Sequence, residues 1–182
     1  MQSDFNDIEK VMHIDTSCKL YEKKNTGIAY RITKSNIHKG IVLSKKLKKE
    51  LERDLNVQED YARMYAIAIY FLIKEDLDQF SVLVICGDEN FNYTKRYLDL
   101  LFENNSEYSK KKIYSIYELR KITGKDKLKS FADNISRSYR KRALKTLRKR
   151  QEGKNLNIVK ISYKDINNKW KEIEEKINVS GE

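Results

Sequence analysis

The run FSVLVICGDENF, residues 80 to 91, constrains the fold more than any other stretch of the chain. Its apolar centre, Val82 to Cys86, is rich in β-branched residues and stops at Gly87 and Asp88. An apolar segment of that length, closed by turn residues, reads as a strand buried on both faces. Such a strand requires a sheet with helices laid on it, so the chain is predicted to be α/β.

The rest of the pattern supplies the partners. KVMHIDTSCKLY and GIAYRITKS read as strands, and the join EKKNTG carries the Asn and Gly of an antiparallel hairpin. KGIVLSK reads as a short third strand and KKIYSIYEL as a fifth, after the central run. LKKELERDL, EDYARMYAIAIYFLIKED and YTKRYLDLLFEN read as helices. In the second of these Ala62, Ala66, Ile69 and Ile73 recur at helical spacing and the other side is also apolar, so it is packed on both faces. DKLKSFADNISRSYRKRALKTLRKR reads as a long basic helix capped near Asp126. LNIVKISY and KDINNKWKEIEEKI then read as a terminal strand and helix. The order β-β-β-α-β-α-β-α predicts a mixed five-stranded sheet flanked by helices, followed by a β-α extension. Residues 1–9 are polar and read as frayed, 10–150 as one domain, and 151–182 as an extension packed on it, the boundary falling where Gly153 interrupts helix.

At 182 residues the chain can bury a core without disulfides or a structural metal. Cys18 and Cys86 make neither a disulfide framework nor a zinc pattern and read as reduced, buried thiols. No signal-peptide pattern opens the sequence and no apolar run is long enough to span a bilayer, which predicts a cytoplasmic protein with no membrane partner.

The net charge of +11 points to a polyanionic partner, and its distribution sharpens the point. Residues 110–150 hold sixteen Lys and Arg against three acids, leaving 22 basic and 24 acidic residues elsewhere. The excess lies in one segment, and its Arg-rich helix suits phosphate contact; the alternative is a solvated helix face.

Four acids stand out from that background. Asp15 ends the first strand, Glu59 starts a helix on the face shared with Ala62, Ala66 and Ile73, Asp88 closes the central strand, and Asp133 lies in the first turns of the basic helix. If the first and central strands are neighbours, Asp15 and Asp88 meet at one edge. Converging carboxylates repel one another unless a cation joins them. Hard dications such as Mg²⁺ take oxygen ligands, and a pair of them activates water and stabilises the leaving oxygen of a phosphodiester. Each acid also has a plainer reading: a turn residue at Asp15, a dipole-favoured helix acid at Glu59 with Asp60 as the rival ligand, a loop cap at Asp88, and an ion pair with Arg137 at Asp133.

The segments IDTSC with TGIAY, NVQEDYA, VLVICGDENF and FADNIS, taken in order, resemble the acidic motifs of type 1 ribonuclease H and its wider nuclease superfamily over about residues 10 to 145. The resemblance implies a ribonuclease H-like fold and an endonuclease that cleaves the RNA strand of RNA–DNA hybrids with two Mg²⁺ or Mn²⁺ ions. It implies that Asp15 and Asp88 bridge the metals and that Glu59 and Asp133 each complete one shell. It also implies substrate contacts at Ser17, Cys18 and Asn56, with Arg137, Arg140, Lys141 and Arg142 holding the other strand. The chain departs from the family in four ways, the first being KLYEKKN in place of the usual Gly/Pro-rich hairpin loop. Thr16 stands where Gly is usual, no His precedes Asp133 in its loop, and the extension after Gly153 has no counterpart. These departures leave room for structured DNA, such as a junction, as substrate, or for a module that binds nucleic acid or protein without cutting. The oligomeric state is left open.

Overall fold

The computed structural model describes residues 10–51, 58–86, 89–124, 130, 132–146 and 157–180. Five strands, β1 (Val11–Thr16), β2 (Thr26–Ile32), β3 (His38–Leu43), β4 (Val82–Ile85) and β5 (Lys112–Ser115), form one mixed sheet in the order β3-β2-β1-β4-β5. The two short loops near the start make β1–β2 and β2–β3 antiparallel. Helical crossovers make β1–β4 and β4–β5 parallel. The apolar run Val82–Ile85 is therefore flanked by a parallel strand on each side and is buried throughout.

Strand alternation sorts the sheet into two faces. Met12, Ile14, Ile28, Tyr30, Leu83 and Ile85 turn to one face and join the main core. Covering that face are α2 (Gln58–Ile73), α3 (Phe91–Leu101) and α7 (Tyr163–Ser180). Helix α2 is apolar nearly all round because it is sandwiched between the sheet and its neighbour helices. Its Ile67, Ile69 and Ile73 are each fully buried, a burial contributing about 1.5–3 kcal/mol per side chain. Helix α7 joins the same core through Ile166 and Ile173. The opposite face carries Val82, Val84 and Cys86, which pack with Ile116 and Leu119 of α5 (Ile116–Thr123).

Helix α6 (Asp133–Thr146) lies on that second face, across β2 and β3. Two glycines let it approach closely. A Cβ on Gly27 would stand 2.3 Å from the Ser136 carbonyl oxygen, and one on Gly40 would stand 2.5 Å from the Tyr139 ring. No side chain larger than hydrogen fits at either position while the helix keeps its seat. The Tyr139 hydroxyl and His38 Nδ1 are 2.9 Å apart, which locks the ring over Gly40.

Four local expectations are corrected. The segment read as a fifth strand, KKIYSIYEL, is strand only to Ser115. There the Ser115 hydroxyl and the Glu118 carboxylate form a reciprocal capping box that starts α5. The described basic helix starts at Asp133, after a turn in which Ser130 Oγ accepts from the Ala132 amide; Asp126, its expected cap, lies outside the described residues. LNIVKISY, within its described part, makes one parallel bridge, Gly40 to Ile158, rather than a strand. Two short helices, α1 (Lys45–Leu51) and α4 (Ser106–Ser109), complete the list; α4 was not expected. No helix among the described residues is long and apolar enough to cross a membrane.

Candidate active-site edge

Strands β1 and β4 are parallel neighbours, so their carboxyl ends reach the same edge of the sheet. Asp15 is the second-last residue of β1, half-buried, opposite Ala29 on β2. Its Oδ1 accepts from the Thr16 amide at 2.8 Å. On the other side the Cys86 amide donates to the Ile14 carbonyl at 2.7 Å, extending the β1–β4 ladder past the end of β4. Asp15 thus stands on the face that carries α5 and α6, in the cross-strand row of Gly40, Ala29 and Cys86.

The surroundings of Cys86 show what else comes to this place. Burial pushes its thiol up to about 12. The Ser130 hydroxyl opposes the rise by hydrogen bonding, Asp15 adds to it, and the Arg120 charge opposes it. The turn before α6 therefore touches the end of β4, and the charges of Asp15 on β1 and Arg120 on α5 act on it. At neutral pH the Cys86 thiol stays protonated and is a poor nucleophile. His13, two residues before Asp15 and 2 % exposed, is pushed down to about 4 by burial and is neutral there as well.

Asp88 and Asn56 lie outside the described residues. The described residues on either side of Asp88 are tied to the chain around Asp15. Cys86 is bonded to Ile14, and the Glu89 carboxylate accepts from the Leu20 amide at 2.9 Å. The sequence reading did not single out Glu89.

The helix face of Ala62, Ala66 and Ile73 is expected to point Glu59 at the sheet, and Glu59 turns elsewhere. It accepts a short hydrogen bond from the Tyr97 hydroxyl, so it faces α3 rather than the sheet. Burial, then Glu59 itself, holds the Tyr97 hydroxyl above its usual range, and Arg63 opposes that rise. The Arg63 guanidinium lies 5.1 Å from the Tyr97 ring and 4.5 Å from the Trp170 ring, and it pairs with Glu174 at 3.2 Å. Glu59 is thus one member of a cation and aromatic stack joining α2, α3 and α7.

Asp133 opens α6 and pairs with Arg137 at 3.0 Å, the i,i+4 ion pair that was its plainer reading. Ser17 is in use within the hairpin, because its amide and its hydroxyl both bond Gly27 at 2.8 Å. Its carbonyl accepts from Arg140 at 3.2 Å, so Arg140 ties α6 to the hairpin as well as adding charge. The Cys18 thiol is buried 3.2 Å from the Thr26 hydroxyl. Arg137 and Lys141 are exposed on α6, and Arg142 belongs to the same helix.

A cavity of about 250 Å³ opens beside the hairpin, and its described lining is Lys23, Lys45, Lys48 and Lys49. Lys48 is 1 % exposed. Its ammonium donates to the Leu20 and Glu22 carbonyls at 2.9 and 2.5 Å and to the Thr26 hydroxyl at 3.0 Å. It closes the β1–β2 loop from beneath, while the other three lysines leave a cationic rim.

The four expected ligands are all carboxylates, the donor type of a hard dication. Among the described residues, no three Asp, Glu, His or Cys side chains gather into a group that could hold a metal ion. The described acids alone therefore do not complete a metal site. Comparison with protein-family models, with curated proteins and with solved structures finds no match.

Proposed function

We propose that this protein is a metal-dependent phosphodiesterase of ribonuclease H-like architecture that acts on nucleic acid, with the RNA strand of an RNA–DNA hybrid as its first substrate. The observation that carries the reading is the double tie around Asp88. Cys86 is bonded to Ile14 and Glu89 to Leu20, which brackets Asp15 in the chain. The strand order, with β1 and β4 parallel at the centre, supports the same architecture. In this reading Asp15 and Asp88 hold divalent ions, with Glu59 and Asp133 contributing from the helix starts. Bound there, such ions would activate the attacking water and stabilise the leaving oxygen. The chain's own part is to present the carboxylates from a rigid parallel pair and to hold phosphates on the basic face of α6.

A second reading is a module that binds nucleic acid without cutting. It is favoured by the engagement of Glu59 with Tyr97 and of Asp133 with Arg137, which supplies each acid with a partner inside the fold.

Labelled RNA–DNA hybrid, duplex DNA, junction DNA and single-stranded RNA, each incubated with Mg²⁺, Mn²⁺ or EDTA, separate these readings. Metal-dependent cleavage of the hybrid that Asp15→Asn and Asp88→Asn each abolish supports the first. Cleavage of junction DNA alone keeps the chemistry and changes the substrate. Salt-sensitive binding with no cleavage under either metal overturns the nuclease and leaves the module.

A further inference from the structure

Tyr117 carries the most exposed aromatic ring among the described residues, at 66 %. One exposed ring is ordinary on a protein surface. Three features set this one apart. The guanidinium of Arg120, one turn along α5, lies 5.4 Å from its centroid, a cation–π arrangement that braces the ring from behind. Lys121, one turn along α5, is exposed, so a second cation stands beside the ring on the same helix. The third feature is position. Strand β5 is parallel to β4 with Ser115 opposite Ile85, and Ser115 caps α5. Tyr117 therefore leaves the sheet at the edge where β1 ends in Asp15 and Thr16.

Strands β1 and β5 are two places apart in the sheet, a separation of about 10 Å. At about 3.4 Å of duplex axis per nucleotide, that is about three nucleotides along one strand. The flat exposed ring, the guanidinium beside it and the lysine one turn along match a nucleobase and its adjoining phosphate. A protein or membrane partner would call for a contiguous apolar patch, and of the other exposed residues of α5 Glu118 and Lys121 are charged and Ile122 is a single apolar side chain five residues on.

We propose that Tyr117, braced by Arg120, is a stacking platform for one base of a bound nucleic-acid strand, about three nucleotides from the phosphate held at the carboxylate edge. The proposal rests on the nucleic-acid reading above, though not on cleavage.

The test is binding of the full chain, carrying Asp15→Asn and in EDTA, to RNA–DNA hybrids with single abasic sites scanned along one strand. Tyr117→Ala is expected to weaken binding to the intact hybrid about tenfold, and Tyr117→Phe to stay within about twofold of the parent. One abasic position is expected to weaken the parent to the same degree and to have no effect on Tyr117→Ala. Unfolding temperatures confirm that the variants are folded. Unchanged affinity in Tyr117→Ala, or a loss that no abasic position reproduces, overturns the platform alone. Absence of binding to any nucleic acid overturns both it and the reading beneath it. A Tyr117-dependent affinity in a protein that never cleaves supports the platform and removes the nuclease.

Discussion

The Glu89 carboxylate accepts a hydrogen bond from the Leu20 amide at 2.9 Å, tying the loop that leaves β4 to the loop that follows β1. The contact joins residues 69 apart in sequence at the edge where Asp15 stands. Glu89→Ala is expected to lower stability by about 1 kcal/mol and to reduce cleavage about tenfold, because the chain next to Asp88 loses its tie to Leu20. Glu89→Gln keeps an acceptor and is expected to restore most of both. Urea denaturation alongside a cleavage assay reads the two effects separately, and equal cleavage in all three proteins would remove Glu89 from the site.

The bond between Tyr97 and Glu59 distinguishes the two functional readings. Tyr97→Phe removes only the hydroxyl and is expected to cost about 1 kcal/mol. If Glu59 serves a metal, Glu59→Gln abolishes cleavage while leaving the melting temperature near that of Tyr97→Phe. If Glu59 is structural, both variants lose the same stability and neither changes activity on nucleic acid.

Gly40 and Tyr139 offer a steric test. Gly40→Ala pushes a methyl group into the Tyr139 ring and is expected to cost about 1–3 kcal/mol by overpacking. Tyr139→Ala costs about 3–5 kcal/mol by itself. Chemical denaturation of the double variant is expected to show less than the sum, since the clash vanishes with the ring.

His13 makes stability depend on pH. Its folded pKa, about 4, lies below the ordinary 6.5 because burial disfavours the charged ring. The unfolded chain then binds the extra proton first as pH falls. The contribution is complete above pH 6.5, declines below it, and is gone at about pH 4, a total of about 3 kcal/mol. Denaturation series at pH 7 and pH 4.5 are expected to differ by much of that amount in the parent, and His13→Leu to remove that share of the difference.

Lys48 is the buried counterpart of the exposed lysines around it. Lys48→Met leaves the Leu20 and Glu22 carbonyls and the Thr26 hydroxyl short of a donor, and is expected to destabilise by about 3 kcal/mol. Lys45→Gln and Lys49→Gln are expected to change stability by less than about 0.5 kcal/mol and to flatten the salt dependence of nucleic-acid binding. Thermal unfolding and a salt titration of affinity check the contrast.

What the sequence made legible followed from local signals. The apolar run at Val82–Cys86, the Asn25 turn signal before β2 and the apolar helix from Gln58 each announced an element that the structure contains, although Gly27, read as part of the turn, lies inside β2. Helix α5 was hidden because IYEL continues the apolar pattern of β5, although Ser115 and Glu118 stand at capping-box spacing and could have marked the break. Glu59 shared a face with buried alanines, but its partner Tyr97 lies 38 residues away and no local pattern reports it. Lys48 read as one more charge on a polar helix; its burial follows from three acceptors on a hairpin that only the tertiary fold brings beneath it. The edge shared by Asp15 and the end of β4 was legible only as a condition on strand adjacency, which β1 and β4 meet.

The close seating of α6 over Gly27 and Gly40 has a consequence for how this protein can diverge. Any side chain at either position lifts the helix, and with it the Arg140 contact to the hairpin. A relative that has lost Gly40 is therefore expected to carry a smaller residue at the place of Tyr139, whereas Gly27 faces the Ser136 carbonyl and the Arg140 amide, backbone atoms that no substitution removes. Helix and strands inherit substitutions together, as a lock and key would.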